Sequence, residues 1–543
     1  MTPTASTVVP PAPQPRRHTT GGLVCAVDHL AASAGAALLR AGGSAVDAAV
    51  GASAVLAVTS QHLCGMGGDL IAVVAAPGAD PAALEAAGPA GAGAAAAADA
   101  LRAEGHRRPP LRGDVRSVTV PGCVDGWLAL HDRHGRLPLA EVLAPAVDAA
   151  AGGFPVGPTL AASLPRIAGL AGADDYLGAS AGSVVRRPGL ATALRAIAAG
   201  GRDPWYGGAF GAGLLRLGGG LFSPADLASP VARWRPAVAA DALGARLWSA
   251  PPVSQGYLIA AAAVIADRVG LPADPDDPRW AHVLLEASRA AGTDRLAVLH
   301  DGADGAALLD PGRLAALAEG LSADRAAAPA RAAAEAWRPG DTTAVVAVDE
   351  TRMGVALVQS NASGFGAHIA VPEVGVWLHD RGIGFSLDPA SPAAMAPGRR
   401  PPHTLSPLVA TGPDGALRLV AGTMGGDAQP QILLQVAARA LLAGVDPADA
   451  VAAGRVQLTS ATPGGSHAGF DTWDGDGRVR VAVEGHCPPG WADALAALGH
   501  DVVVEPAWSG GFGHAHAVTV GPGGATVAGG SDPRALTGAV VAG

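Results

Sequence analysis

What most constrains the fold is a change of pattern centred on the stretch RPGDTTAVVAVD at 338–349. Ahead of it, from about residue 76 to 320, apolar residues recur mainly at helical spacing, broken by Pro/Gly turns such as TVPGCVDGW (119–127) and APPVSQG (250–256). Nearer the start, Asp28 opens DHLAASAGAALLRAGG as an N-cap, and the glycines at 42–43 are expected at its C-terminal end. A second apolar segment, Val46–Thr59, runs into the glycine-rich loop SQHLCGMGGDL and a strand at Leu70–Ala75. After Thr342 the runs TTAVVAV, GVALVQSN, GVWLHD, LSPLVAT and LRLVAG read as short strands between turn residues. A helix at Gln429–Leu442 and strands at Val479–Val483, Asp501–Val504 and Ala515–Val520 complete that part. A helix-rich part followed by a strand-rich part predicts an α+β layered architecture. At 543 residues it needs two or more packed layers or domains. The alanine-rich, charge-spiked segment 322–337 predicts an exposed linker or mobile helix just before the split.

Composition narrows the partners. A net charge of −10 argues against a nucleic-acid or anionic-membrane surface. The Gly/Ala run near Ala86–Ala100 is too weakly apolar for a membrane span and is interrupted or flanked by Pro89, Asp99 and Arg102. Residues 1–18 lack the apolar region of a secretory signal, and their Pro/Thr/Ser bias predicts a disordered arm. Cys25, Cys64, Cys123 and Cys487 show no CxxC spacing, so neither zinc nor a disulfide framework is expected, and the default location is the cytoplasm. His514 and His516 in GHAHAV have no carboxylate or cysteine near them in sequence, so no metal and no other cofactor is expected there.

Thr342 admits two readings. Threonine is common at the start of a strand. It is also a nucleophile if a base lies beside it, and a free α-amino group on the same residue, with a pKa of about 7.7–8.0, is such a base. That amine exists only after the Asp341–Thr342 bond is cut, which the same hydroxyl can do by attacking the preceding carbonyl. Local residue chemistry leaves both readings open.

Taken in series, the motifs resemble the γ-glutamyltransferase family of N-terminal-nucleophile hydrolases over nearly the whole ordered length. They are LRAGGSAVDAAV, CGMGGDL, VTVPGCVDGW with GRLPLAEVLAPAVDAAAGGFPV, GDTTAVVAVD, QSNASGFG, APGRRPPHTLSP, GTMGGDAQPQ and SDPR (531–534). The resemblance implies a proenzyme folded as a four-layer αββα sandwich and cleaved before Thr342. A large chain (19–341, after the arm) and a small chain (342–543) would then share one core, with a homodimer of such heterodimers as a further expectation. It implies an acyl-enzyme mechanism with Thr342 as nucleophile, Ser360 in place of the family's second threonine, and Gly425 and Gly426 as the oxyanion pair. Asn361 resembles its substrate-binding asparagine, and His403-Thr404 falls where the family has a serine pair contacting the substrate carboxylate.

Two departures concern the substrate. The stretch LEAAGPAG (84–91) lacks the arginine that clamps the substrate α-carboxylate in glutamate-specific members. Gly384 stands where those members have an aspartate for the α-amino group. Arg381 nearby is expected either to grip an anionic substrate or to pair with Asp380 or Asp388. The leading expectation is a hydrolase or acyltransferase acting on a γ-glutamyl or related amide of a small molecule. One alternative is cleavage of a carbon–carbon bond in a keto-acid-like intermediate, as associated with family relatives in actinomycete natural-product (antibiotic) pathways. The other is an unprocessed, inactive scaffold.

Overall fold

The computed structural model describes residues 15–327, 341–460 and 479–543. Residues 1–14 of the arm, 328–337 of the expected linker and Arg338–Gly340 of the turn lie outside the described residues. Two seven-stranded sheets, each wholly antiparallel, stack face to face. From edge to edge, one sheet runs Ala539–Ala542, Leu23–Ala26, Thr342–Val348, Gly354–Ser360, Asp69–Ala75, Ala82–Ala86 and Arg233–Pro236. The other runs Arg16–Thr19, Val527–Ser531, Ala515–Val520, Leu417–Thr423, Leu408–Thr411, Ala245–Ser249 and Val238–Ala242. Valines and leucines such as Val346, Val358, Val409, Val420 and Val518 fill the space between them. Helices cover the outer faces, His29–Arg40 and Ala45–Thr59 on the first sheet and Tyr257–Val269 and Gln429–Ala437 on the second. This is the αββα arrangement.

Local chemistry explains the helical layer. Asp28 caps His29–Arg40 by accepting from the Leu30 N–H at 2.8 Å, and Ser44 with Asp47 forms a capping box on Ala45–Thr59. Every residue of Ala45–Thr59 is buried, and its small side chains let a neighbouring helix pack closely: a Cβ on Gly35 would meet the Ala48 carbonyl at 2.8 Å. Among the described residues no helix is long and apolar enough to cross a membrane.

Several boundaries differ from the sequence reading. The arm was expected to extend through residue 18, but Arg16–Thr19 is an edge strand paired with Val527–Ser531. Between residues 76 and 320 the pattern looked mostly helical, yet Ala82–Ala86, Arg233–Pro236, Val238–Ala242 and Ala245–Ser249 are strands. Alanines blur the alternation that marks a strand in Ala82–Ala86 and Val238–Ala242, and pairing with neighbours decides the matter. GVWLHD yields only the two-residue strand Val376–Trp377. The helix at 429 keeps α geometry to Ala437 and finishes as a π turn over Ala438–Leu442.

Candidate active site

Thr342 opens a strand in the middle of its sheet and is 2 % exposed. Antiparallel register sets Ser360 directly opposite Thr342, and Asp69 opposite Ser360. The Thr342 Oγ1 hydroxyl donates to Ser360 Oγ at 2.9 Å, and Ser360 Oγ donates to the Asp341 carbonyl oxygen at 2.8 Å. The Ala362 N–H donates to the same Ser360 oxygen at 2.8 Å and fixes its position. Ser360 therefore touches both the hydroxyl that would attack and the carbonyl it would attack. A donor on that carbonyl stabilises negative charge developing on its oxygen.

Two carboxyl groups flank this bond. Burial pushes the Asp341 carboxyl up to about 6, against the pull of Arg166, whose guanidinium lies 4.0 Å away. Burial also pushes Asp380 up to about 6, although it accepts from the Ser363 N–H at 3.0 Å and hydroxyl at 2.7 Å. Arg166 carried no sequence signal, because its link to Asp341 is made only by the fold.

Gly425 and Gly426, expected as the oxyanion pair, reach this end of the sandwich through strand packing. A Cβ on Gly354, which pairs with Val348, would meet Leu417 and Val420, whereas a Cβ on Gly422 would meet Ala344. The two facing strands thus run in opposite senses, and the Thr342 end lies towards Met424-Gly425-Gly426. Gly425 has φ +140°, and a Cβ there would sit 2.7 Å from Ile432 Cδ1, so no other residue fits without strain. The turn Gly426–Ala428 leads directly into Gln429–Ala437, so the positive end of that helix adjoins the glycine pair. Gln255 Nε2 donates to the carbonyls of Thr404 at 3.1 Å and Gly426 at 3.2 Å, tying the two loops together.

The expected substrate-contacting residues separate into two groups. Arg381 and Thr404 meet, with Arg381 Nη1 donating to Thr404 Oγ1 at 3.3 Å. Arg381 lines a cleft of about 240 Å³ that also includes Arg108, Arg295 and Asp427. Asn361 and His403 instead face inward. Asn361 is fully buried, and its amide donates to the Gln61 carbonyl at 3.2 Å, bracing the glycine-rich loop. That loop needs glycine for a physical reason, since a Cβ on Gly68 would lie 2.4 Å from the Ser360 carbonyl oxygen.

His403 bonds Asp69 through Nε2 at 3.2 Å, while its Nδ1 accepts from the Leu405 N–H at 3.3 Å, which sets the tautomer. Burial lowers His403 to about 4, so it is neutral near pH 7. Burial works against the Asp69 charge, but His379 and His403 hold its carboxyl well below the usual carboxylate range. His379 sits 3.3 Å from Asp69; burial opposes its charge, yet Asp69 raises its pKa. Sequence reasoning missed Asp69, although it stands inside the quoted motif CGMGGDL.

Among the described residues one group could offer metal ligands, buried His282, Glu286 and His500. Its donors are already engaged: His282 and His500 bond each other at 2.8 Å, and Arg289 bonds Glu286 at 2.5 Å. His516 bonds the Ser531 hydroxyl at 3.0 Å, and His514 precedes the strand rather than lying in it.

A buried hydroxyl at the head of a central strand, inside an αββα sandwich, defines the N-terminal-nucleophile hydrolase class. Residues 31–542 match the γ-glutamyltranspeptidase family, and the chain belongs to that family of self-processing amide hydrolases and acyltransferases. It is 35 % identical to the oxamate amidohydrolase proenzyme of Klebsiella pneumoniae, over 95 % of this chain and 97 % of that one. It is 31 % identical to a glutathione hydrolase-like proenzyme of Bacillus subtilis, with the same coverage. Cephalosporin acylase from Bacillus halodurans shares the fold with a TM-score of 0.86 at 29 % identity, covering 99 % of each chain.

Proposed function

We propose that this enzyme cleaves its own Asp341–Thr342 bond and then hydrolyses the amide of a small molecule, with Thr342 as nucleophile. The observation that carries this reading is the hydroxyl relay from Thr342 through Ser360 to the Asp341 carbonyl. In maturation, Thr342 Oγ1 attacks the Asp341 carbon, the peptide nitrogen leaves as the new α-amine, and water hydrolyses the resulting ester. In turnover, that amine accepts the Thr342 hydroxyl proton as Oγ1 attacks the substrate carbonyl, then passes it to the leaving amine. Gly425 and Gly426 hold the oxyanion, and water or an acceptor amine releases the acyl group. The proenzyme relatives support the division into a large chain ending at Asp341 and a small chain beginning at Thr342. The unpaired cysteines support a cytoplasmic setting. The relatives' named substrates differ, so membership of the family leaves the acyl group open.

A denaturing gel tests the reading. Wild type is expected as two fragments and Thr342→Ala as one band. Ser360→Ala is expected to slow processing by about 10²–10³-fold, the typical cost of one donor to an oxyanion. An intact wild-type chain would overturn the proposal. Two fragments together with silence across a broad amide panel would redirect it to the carbon–carbon reading.

A further inference from the structure

Thr342, Ser360 and Asp69 stand in one rank across three neighbouring strands, because residues directly opposite each other in an antiparallel sheet project to the same face. That face is the inner one. Ala344, Val358 and Ile71, each two residues away along its strand, pack between the two sheets. The glycine pair belongs to the other sheet, since Gly425 and Gly426 follow the strand Leu417–Thr423. Maturation as proposed above uses groups of the first sheet only: the Thr342 hydroxyl, Ser360 and the Asp341 carbonyl. Turnover adds the glycine pair and so requires the two sheets to be held at one spacing.

Asp69 reaches across that gap. Its Oδ2 accepts from His403 Nε2 at 3.2 Å, and the Leu405 N–H on His403 Nδ1 leaves the ring hydrogen on Nε2. Both side chains are 1 % exposed, so water does not compete for the bond. His403 is in turn stitched to the second sheet's side. It bridges Ser254, its N–H donates to the Val253 carbonyl at 2.8 Å, and its carbonyl accepts from the Gln255 N–H at 2.9 Å. The Gln255 side chain then joins the carbonyls of Thr404 and Gly426. The Ser406 N–H donates to Gln429 Oε1 at 3.0 Å, at the start of the helix behind the glycine pair. On the first sheet's side, the Gly88 N–H holds Asp69 Oδ1 at 3.2 Å. His379, bonded to the Thr119 carbonyl at 3.0 Å, stands 3.3 Å from Oδ2. A hydrogen bond marks every step from the strand beside Ser360 to the glycine turn.

We propose that Asp69 and His403 are positioning residues, a clasp between the sheets that sets the glycine turn against the carbonyl attacked by Thr342, and that they serve turnover and not maturation. A misplacement of about 1 Å far from the chemistry can cost about 10²-fold in rate. The kinetic consequence rests on the hydrolysis proposed above, whereas the clasp itself does not.

The test compares His403→Leu, which removes the donor, with His403→Gln, whose amide can reach the same oxygen. Both are expected to give two fragments on a denaturing gel at the wild-type rate. His403→Leu should lose about 10²-fold in kcat on the best substrate of the amide panel with KM little changed, and His403→Gln should recover most of that loss. Asp69→Ala should match His403→Leu, and the double variant should be no slower than either single, as for two ends of one contact. Hydrogen exchange reads the clasp without any reaction. In unprocessed Thr342→Ala, adding His403→Leu should speed exchange at 403–406 and 424–429 and leave the strand residues 343–348 and 354–360 as they were. That pattern in a protein that neither processes nor turns over would sustain the clasp while the nucleophile reading fails. Unchanged exchange at 403–406 and 424–429, acceleration spread over the whole chain, slowed processing or full turnover in His403→Leu would overturn the proposal.

Discussion

Two buried ionic clusters in this protein are built from the same residue types and do different things. Around Asp532, Arg534 bonds Asp532 at 2.9 Å and grips Glu484 with two bonds of 2.8 and 2.5 Å, while Arg455 bonds Asp532 at 2.5 Å. The two arginines also donate to the carbonyls of Val451, Ala453 and Phe512, so the network closes on itself and ties the last strands to the helix Pro447–Ala452. Around Asp427, Arg295 and Arg381 stand at the wall of a cleft, with Arg108 added on the same wall. Two cations facing two anions inside the protein make a lock. The second cluster stands at an opening instead, next to the glycine turn. Burial of charge alone does not separate these cases; the presence of an opening does.

Removing one arginine from each cluster should break the comparison most sharply. Arg534→Met leaves Glu484 and Asp532 buried with one arginine between them, and a loss of about 3–5 kcal/mol of stability is expected. Chemical denaturation of the processed protein measures it, and such a loss can leave too little folded chain to purify. Arg295→Met is expected to cost less, about 1–3 kcal/mol, because Arg381 remains near Asp427. Its effect on turnover should nonetheless exceed what its stability loss accounts for, because Asp427 directly follows the glycine pair. Equal stability losses in the two variants, with activity unaffected by Arg295→Met, would erase the distinction between a closed lock and a cluster that borders the glycine turn.

The motif series made the layered fold, the paired hydroxyls of Thr342 and Ser360 and the glycine turn legible before any coordinates. Those features follow from short-range rules: a strand start, an antiparallel neighbour, a turn that only glycine can adopt. SDPR and GTMGGDAQPQ looked alike in sequence, each an aspartate in a family motif. Nothing local said that Asp532 would be closed off by Arg455 and Glu484 while Asp427 would face a cleft, because Arg295 and Glu484 arrive from distant segments. Asp69 was hidden for the same reason: its partners His379 and His403 lie more than 300 residues away in sequence, although the strand register places it beside Ser360. The helical reading of 76–320 failed through composition, since alanine suits both a helix and a tightly packed strand.

The smallest expected effect concerns pH and sharpens the contrast between the Asp341–Thr342 junction and its surroundings. Burial lowers the pKa values of His62, His403, His500, His514 and His516 from 6.5 to between about 3 and about 4. The unfolded chain takes up protons at these sites below pH 6.5 that the folded chain refuses, so their contribution to stability is complete above 6.5 and is lost as pH falls towards 4. Asp341 and Asp380 act in the opposite sense. Their carboxyls are raised from 3.8 to about 6, so the folded chain keeps protons that the unfolded chain releases, and their contribution falls as pH rises from about 4 to 6. Burial also raises Asp28, Glu85, Asp125 and Asp267 and lowers His134, His368 and His486, so eight lowered histidines stand against six raised carboxyls among the described residues, and unfolding free energy should decline on acidification from 6.5 to 4. In the unprocessed Thr342→Ala chain, Asp380→Asn removes one opposing carboxyl and should steepen that decline. Denaturation midpoints across pH 4–7 measure the slope. A slope that flattens in Asp380→Asn would mean that Asp380 is already ionised in the folded chain, and that Arg381 and the Ser363 hydrogen bonds outweigh its burial.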